Sequence, residues 1–194
     1  MEREELGPDQ VRRTLRRLAH EIVEQTGDLG PLALVGVRTR GVHLARRLAR
    51  DIQALSGSLP PVGALDVTLY RDDLDREASA RAKLQRTDLP FSCADREIVL
   101  VDDVLYTGRT TRAALAALVN FGRPRRVRLA VMADRGGREL PVRADFVGKN
   151  LSVRPGAEVK VLLEEIDGRD ALVVRAKATA PGTPSRGPAP EDSP

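Results

Sequence analysis

The stretch from Ile98 to Thr111 constrains the fold of this chain more than any other part of its sequence. An apolar run leads into two adjacent acids, Asp102 and Asp103, and a short loop rich in Thr and Gly follows. A segment with a helical pattern then begins at Arg109. Strand, loop and helix in this order indicate an α/β fold, in which ligands bind at the carboxyl ends of the strands.

Strand and helix patterns alternate along the chain, which predicts a mostly parallel sheet flanked by helices. The first helix is predicted to have Asp9 as its N-cap and to bury Val11, Leu15, Leu18 and Ile22, which recur at helical spacing. The other predicted elements are strands 32–37, 64–70, 97–101, 127–133, 159–163 and 172–174, and helices 42–52 and 109–119.

Length and composition favour one domain with an aliphatic core. The chain has 194 residues, of which only 3 % are aromatic. Residues 1–176 are predicted to form this domain, whereas 177–194, rich in Pro, Ala, Gly and Ser, are predicted to be a disordered tail. Residues 71–95 are polar and lack a period, so we expect a long mobile loop. The part from 71 to 90 could close over a site, and a plain disordered loop is the alternative.

Cysteine content, charge and hydropathy exclude several classes of protein. The single cysteine, Cys93, cannot form an intrachain disulfide and is expected to be inert. The charged N-terminus does not fit a signal peptide, and no apolar run is long enough to span a membrane. We therefore expect a cytoplasmic protein without a membrane partner. A net charge of +4 permits a polyanionic partner but does not require one.

The loop after Asp103 has the composition of a phosphate-binding site. Loop amides and a helix N-terminus favour a phosphate dianion, and Gly108 allows close approach of the backbone. Two acids directly before this loop would repel a phosphate, so we expect Asp102 and Asp103 to contact ribose hydroxyls instead. A capped helix after an ordinary strand is the alternative. The predicted substrate-binding residues of this loop are Val104, Leu105, Tyr106, Thr107, Gly108, Arg109, Thr110 and Thr111.

The run from Ile98 to Thr111 resembles the signature of type I phosphoribosyltransferases for phosphoribosyl pyrophosphate (PRPP). The segments 35–41, 66–74, 130–140 and 141–150 resemble one group in that family. This group comprises bifunctional regulators of pyrimidine-operon attenuation that are also uracil phosphoribosyltransferases. The resemblance extends from about Asp9 to about Val174. It implies the type I phosphoribosyltransferase fold with a small hood region, and a homodimer or larger homo-oligomer.

The resemblance also implies a reaction, in which uracil and PRPP give UMP and pyrophosphate with Mg²⁺ as cofactor. Asp102 and Asp103 would be the catalytic residues. They would lie near an Mg²⁺ ion that is held mainly by PRPP and water, so that their contact with the metal is indirect. In the family the base pocket lies beside the strand end at 132–135, which makes Asp134 and Arg135 candidates for contact with the base.

A second substrate-binding segment follows the predicted strand 32–37. Residues Arg38, Thr39, Arg40 and Gly41 are similar to the pyrophosphate loop of the family. Arginine side chains and backbone amides suit phosphate oxygens, so the composition agrees with that role. Because this loop often contains a non-proline cis peptide in the superfamily, we expect one near Arg38–Thr39.

The first helix carries a basic stripe opposite its apolar face. A solvated face is the ordinary explanation of such a stripe, but the resemblance implies that it binds pyrimidine-operon leader mRNA, and not DNA, in response to UMP. Gly137 stands where relatives often carry a histidine, so one possible base contact is lost. The residues predicted to bind RNA are Arg13, Arg17, His20, Thr39, Arg138, Arg143 and Lys149.

Three other functions remain open at this point. The chain could be a phosphoribosyltransferase without RNA regulation, an RNA-binding regulator with weak catalysis, or an enzyme for a purine base. The intact Asp102–Asp103 pair argues against the second. The segments around Tyr70 and Arg138 disfavour the third, but only by resemblance.

Overall fold

The computed structural model describes residues 2–70 and 86–176, which form a five-stranded sheet, its flanking helices and a small second sheet. The strands are β1 (Glu2–Leu6), β2 (Leu32–Val37), β3 (Val62–Leu65), β4 (Glu97–Leu105), β5 (Arg126–Asp134), β6 (Phe146–Asn150), β7 (Glu158–Leu162) and β8 (Ala171–Arg175). The α-helices are α1 (Pro8–Thr26), α2 (Arg40–Ser56), α3 (Arg109–Leu118) and α4 (Glu164–Asp167), and short 3₁₀ turns span Thr68–Tyr70 and Val119–Phe121.

The large sheet is parallel throughout, with the strand order β3-β2-β4-β5-β6. Successive side chains of a strand point to opposite faces. Leu34 and Val99 accordingly pack in one apolar cluster with α1 and α2, whereas Val35 and Leu100 pack in another with α3. The predicted α/β architecture is confirmed, and the carboxyl ends of β2, β4 and β5 meet at one edge.

A second sheet, of order β1-β8-β7, is antiparallel, and we call it together with α4 the hood. Leu163 and Leu172 of the hood belong to the same apolar cluster as α1 and α2. The hood therefore packs on the α1 and α2 side of the large sheet and shares its apolar cluster.

The start of α1 differs from the prediction. Gly7, not Asp9, is the N-cap, and Pro8 is the first helical residue, where its lack of an N–H has no consequence. The side-chain oxygen of Gln10 accepts a 2.9 Å hydrogen bond from the Gly7 amide. Asp9 lies in the first turn and pairs with Arg12 at 2.9 Å.

The predicted strand 64–70 is also wrong, because β3 ends at Leu65. The carboxylate of Asp66 accepts hydrogen bonds from the amide and hydroxyl of Thr68, at 2.9 and 2.6 Å, and so favours a 3₁₀ turn. Val67 is buried, at 5 % exposure, without belonging to a strand. The alternation of apolar residues therefore reflects burial and not extended backbone.

The remaining predicted strands and helices are confirmed with ends shifted by a few residues, while β1 and β6 were not predicted. Most of the predicted loop, 71–85, and the predicted tail 177–194 lie outside the described residues. Within the described part of that loop, Asp88 forms an isolated antiparallel bridge with Ala64. Cys93 is buried, and burial raises the pKa of its thiol. No helix in residues 2–70 and 86–176 is long and apolar enough to cross a membrane.

Candidate active site

Strand β4 carries the two adjacent acids to the carboxyl edge of the sheet. Asp102 is buried, at 9 % exposure, and Asp103 is partly buried. The Asp103 amide donates to Oδ1 of Asp102 at 2.9 Å, and the Val104 amide donates to Oδ1 of Asp103 at 2.8 Å. These backbone hydrogen bonds fix both carboxylates at the entrance to the following loop.

A cavity of about 240 Å³ opens beside Asp102, between the loop and the N-terminus of α3, and Asp103 is not among its lining residues. Gly108, with a φ of 94°, is the N-cap of α3, so the first amides of the helix face this region. The structure brings the predicted residues of the loop together here. The cavity is lined by Asp102, Val104, Leu105, Tyr106, Thr107, Gly108, Arg109, Thr110, Thr111 and Glu139.

Glu139 was not predicted as a site residue. Its carboxylate accepts from Arg109 at 2.7 and 2.8 Å, and its amide donates to the carbonyl of Thr107 at 3.0 Å. The two residues of the ion pair are 30 positions apart, one at the start of α3 and one in the loop after β5, so no spacing in the sequence indicates the contact. Glu139 therefore lines the cavity as the acidic partner of Arg109.

The loop 38–41 lies directly against the end of β4. The predicted non-proline cis peptide between Arg38 and Thr39 is confirmed. A β-carbon on Gly41 would overlap the carbonyl oxygen of Val101 and would lie 3.3 Å from the Cα of Asp102, so only glycine permits this approach. The loop is thus next to the two acids at the same edge of the sheet.

The two arginines of this loop contact other parts of the chain. Arg38 donates from Nε to the carbonyl of Arg86 at 3.0 Å, just after the part of the chain that is not described. Arg40, the first residue of α2, donates to both carboxylate oxygens of Asp167 in the hood, at 3.0 and 3.1 Å. The loop is therefore connected both to the hood and to the segment that follows residue 85.

The two candidates for the base pocket lie in different environments. Both carboxylate oxygens of Asp134 have partners, the Gly136 amide at 2.9 Å and the guanidinium of Arg138. Arg135 stacks on the ring of Tyr106 at 3.8 Å and donates to the carbonyl of Ala157 at 2.8 Å. A second cavity, of about 360 Å³, adjoins this stacked pair and extends to β7 and β8 of the hood. Of the two candidates, Arg135 lines this cavity and Asp134 does not.

The acids at the end of β4 are suitable ligands for Mg²⁺. Carboxylates are the hard oxygen ligands that this ion prefers, and Asp102 and Asp103 supply two of them. No group of three or more His, Cys, Asp or Glu side chains suited to a metal occurs in the described parts of the chain. The two carboxylates therefore fit an ion that is also held by a phosphorylated substrate.

The predicted RNA-binding residues of α1 are exposed on the surface of the helix. The helix itself packs against β6. Arg17 donates to the carbonyls of Val147 and Gly148 at 3.0 and 2.7 Å and also pairs with Glu21. Lys149 pairs with the carboxylate of Glu5 at 3.0 Å. The structure thus brings α1 and β6 into one surface, but it partly neutralises two of its cations.

The other predicted RNA-binding residues lie on loops. Thr39 and Arg143 are exposed, whereas the side chain of Arg138 is 22 % exposed and reaches the carbonyls of Tyr106 and Val142 at 2.8 and 3.0 Å. Gly137 has a φ of 76°, and a β-carbon there would lie 2.6 Å from the ring of Tyr106. A histidine at this position would therefore require the Tyr106 ring to move.

Comparison with known proteins identifies the class of protein. The family model for the phosphoribosyl transferase domain matches residues 5–167, and the chain belongs to this family. It is therefore a transferase, and the predicted type I phosphoribosyltransferase fold is confirmed.

Within this family, the chain is similar to bifunctional PyrR proteins of several bacteria. The chain is 55 % identical over 171 residues to the bifunctional protein PyrR of Thermus aquaticus, covering 88 % of this chain and 94 % of the relative. It is 56 % identical over 163 residues to the bifunctional protein PyrR of Thermus thermophilus, covering 84 % and 90 %. The predicted membership of this group is confirmed.

Solved structures agree on the fold alone. A hypoxanthine phosphoribosyltransferase of Trypanosoma cruzi superposes with a TM-score of 0.66 at 19 % identity, covering 90 % of this chain and 97 % of that one. One from Staphylococcus aureus has a TM-score of 0.65 at 15 % identity, with 91 % and 93 % covered. At this sequence identity, the base that those enzymes use does not indicate which base this chain uses.

Proposed function

We propose that the protein transfers the phosphoribosyl group of PRPP to uracil, which gives UMP and pyrophosphate. We further propose that it binds pyrimidine-operon leader mRNA in a UMP-responsive manner, in the cytoplasm and as a homodimer or larger homo-oligomer. The observation that carries the enzymatic part is the position of Asp102 and Asp103, directly before a cavity formed by a Thr/Gly loop and a helix N-terminus.

The proposed reaction exchanges one bond at the anomeric carbon of PRPP for another. N1 of uracil forms a bond to the anomeric carbon of PRPP, the bond from that carbon to the pyrophosphate oxygen breaks, and the N1 proton passes to solvent. The loop 104–111 would hold the 5′-phosphate, since amides at a helix N-terminus favour a phosphate dianion. Asp102 and Asp103 would accept hydrogen bonds from the ribose hydroxyls. The protein would thereby orient both reactants and stabilise the charge that develops.

The leaving pyrophosphate would lie against the loop 38–41, which is adjacent to the same acids. Mg²⁺, carried by PRPP near Asp102 and Asp103, would neutralise part of the charge of the pyrophosphate. Uracil would occupy the cavity beside Tyr106 and Arg135, where the stacked pair supplies a flat wall for a planar base.

The regulatory part has its support in the resemblance and in the word bifunctional in the names of the relatives. RNA would contact the surface formed by α1 and β6, with Arg13, Arg17, His20 and Lys149. Arg138 donates to the carbonyl of Tyr106 in the loop of the candidate phosphate site, which offers a route by which UMP could alter RNA binding. A nucleotide that binds the RNA-competent state more tightly must also increase the affinity for RNA.

The transferase activity is tested with the full chain, PRPP, Mg²⁺ and labelled uracil, with and without a chelator. We expect UMP that appears together with an equal amount of pyrophosphate, and only when Mg²⁺ is present. Release of pyrophosphate without UMP would indicate hydrolysis of PRPP and would contradict the proposed transfer.

The regulatory activity is tested by titrating a pyrimidine-operon leader RNA with the protein, with and without UMP. A scrambled RNA of equal length and composition is the control. We expect tighter binding to the leader RNA, and a further gain with UMP. Equal affinity for both RNAs would leave an enzyme without RNA regulation. Binding to the leader RNA without any turnover would leave a regulator with weak catalysis.

A further inference from the structure

Helix α2 faces the hood with two arginines that lie two turns apart. Arg40 and Arg47 differ by seven positions and so project from the same side of the helix. Arg40 pairs with Asp167 at 3.0 Å, while Arg47 pairs with Glu165 at 2.6 Å and with Asp170 at 2.7 Å. The two contacts have the same chemistry, but only the first lies next to the loop 38–41.

The carboxylate of Asp167 is held from several sides. It accepts from the amide of Leu163 at 3.0 Å and from Arg40 at 3.0 and 3.1 Å, and Lys160 lies 3.8 Å away. The Asp167 side chain is only 16 % exposed. Its position is therefore set by the hood itself, so it can serve as a fixed point for Arg40.

Arg40 depends on this contact more than an exposed arginine would. Its side chain is 23 % exposed, and its Nε is buried without a hydrogen-bond partner among the described residues. The hydrogen bonds to Asp167 thus compensate for burying the guanidinium. Removing one member of a buried pair leaves the other charge uncompensated, and that side chain then tends to move. Because Arg40 is also part of the loop, such a movement would displace the backbone next to Asp102.

We infer that Asp167 is a positioning residue, which acts through Arg40 to hold the loop 38–41 in the conformation that binds the pyrophosphate of PRPP. The inference rests on the pyrophosphate-binding role proposed above for this loop. Asp167 touches no reacting atom in this account. Loss of the Asp167 carboxylate should weaken the binding of PRPP equally in the ground state and in the transition state. KM should therefore rise, while kcat stays nearly unchanged.

Asp167→Asn in the full chain tests the inference, and Glu165→Gln is the matched control. Both variants remove a carboxylate from α4 that pairs with an arginine of α2. We expect Asp167→Asn to raise the KM for PRPP about tenfold, the effect of one charge-assisted contact. Glu165→Gln should leave this KM unchanged. Calorimetric titration with PRPP in the presence of Mg²⁺ should show weaker binding to Asp167→Asn than to the wild type and to Glu165→Gln.

A double-mutant cycle shows whether Asp167 acts through Arg40. Asp167→Asn should add nothing further in an Arg40→Gln background, and an additional loss there would overturn the inference. An unchanged KM in Asp167→Asn, or an equal rise in Glu165→Gln, would overturn it as well. Binding of PRPP by the wild type without turnover would contradict the proposed reaction. The calorimetric affinities of the two variants for PRPP would still decide the role of Asp167.

Discussion

The guanidinium of Arg138 donates a 2.8 Å hydrogen bond to the carbonyl oxygen of Tyr106 and also pairs with the carboxylate of Asp134. One side chain, predicted from the sequence to bind RNA, is therefore built into the loop that lines the candidate phosphate site. Arg143 differs from Arg138 in its environment. It is exposed and has no ion pair with a residue that the structure describes.

Arg138→Ala is therefore expected to lower both activities. It should raise the KM for PRPP about tenfold, because the loop loses charge-assisted hydrogen bonds, and it should weaken the binding of leader RNA. Arg143→Ala should weaken RNA binding and leave the KM unchanged. Steady-state kinetics and RNA titration on both variants check this, and a normal KM for PRPP in Arg138→Ala would contradict it.

The two acids at the end of β4 give a second prediction. Asp102→Asn combined with Asp103→Asn should reduce the rate of UMP formation by about 100-fold or more, since the ribose loses its negatively charged acceptors. The melting temperature should change little, because asparagine retains a side-chain oxygen for the amide hydrogen bonds. Turnover close to that of the wild type would remove both residues from the catalytic site.

A third prediction concerns the basic stripe on α1. Arg13 is exposed and has no ion pair within the described residues, whereas Arg17 is held by β6. Arg13→Ala should weaken RNA binding and reduce the slope of affinity against salt by about one. Arg12→Ala is the control, because Arg12 is exposed on the same helix but lies about 100° from Arg13. Equal effects of the two substitutions would show that the stripe is a solvated face. UMP formation should be normal in both.

The contacts between α2 and the hood give a prediction about pH. Burial alone would raise the pKa of Asp167 and of Asp170, but hydrogen bonds from Arg40, Arg47 and backbone amides lower both. A carboxyl group whose pKa is lower in the folded protein stabilises it above the pKa of the unfolded chain, about 3.9 for Asp. This contribution is lost as the pH falls through the lower, folded value.

We therefore expect the free energy of unfolding to fall steeply below about pH 4. Denaturant titrations from roughly pH 6 to about pH 3 cover this range. Asp170→Asn should be less stable than the wild type at the upper end of the range and should lose less stability on acidification. Parallel curves for the two proteins would contradict this account of the hood contacts.

Much of the site could be predicted from the sequence because it is local in the chain. The strand, the two acids, the loop and α3 follow one another between residues 97 and 118, and each has its own pattern. The loop 38–41 could be located by its resemblance for the same reason. Glu139 and the contact between Arg40 and Asp167 could not, because their partners are distant in the chain.

The errors in the fold have specific causes. Strand β1 has the sequence Glu-Arg-Glu-Glu-Leu and lies at the edge of the hood, where charged side chains reach solvent and no apolar pattern is needed. Strand β6 contains Gly148, against which Thr14 of α1 packs, so its pattern is also weak. At Asp66 a single side-chain hydrogen-bond acceptor ends a strand that the apolar alternation would have continued.

The most direct test of the central claim is one reaction that contains the full chain, PRPP, Mg²⁺ and equal amounts of uracil, cytosine, hypoxanthine, guanine and adenine. The nucleotide products are then separated and measured by mass spectrometry. We predict that UMP is formed and that the nucleotides of the other bases are absent. A purine nucleotide as the main product would contradict the assigned base, and no nucleotide at all would contradict the proposed transferase reaction.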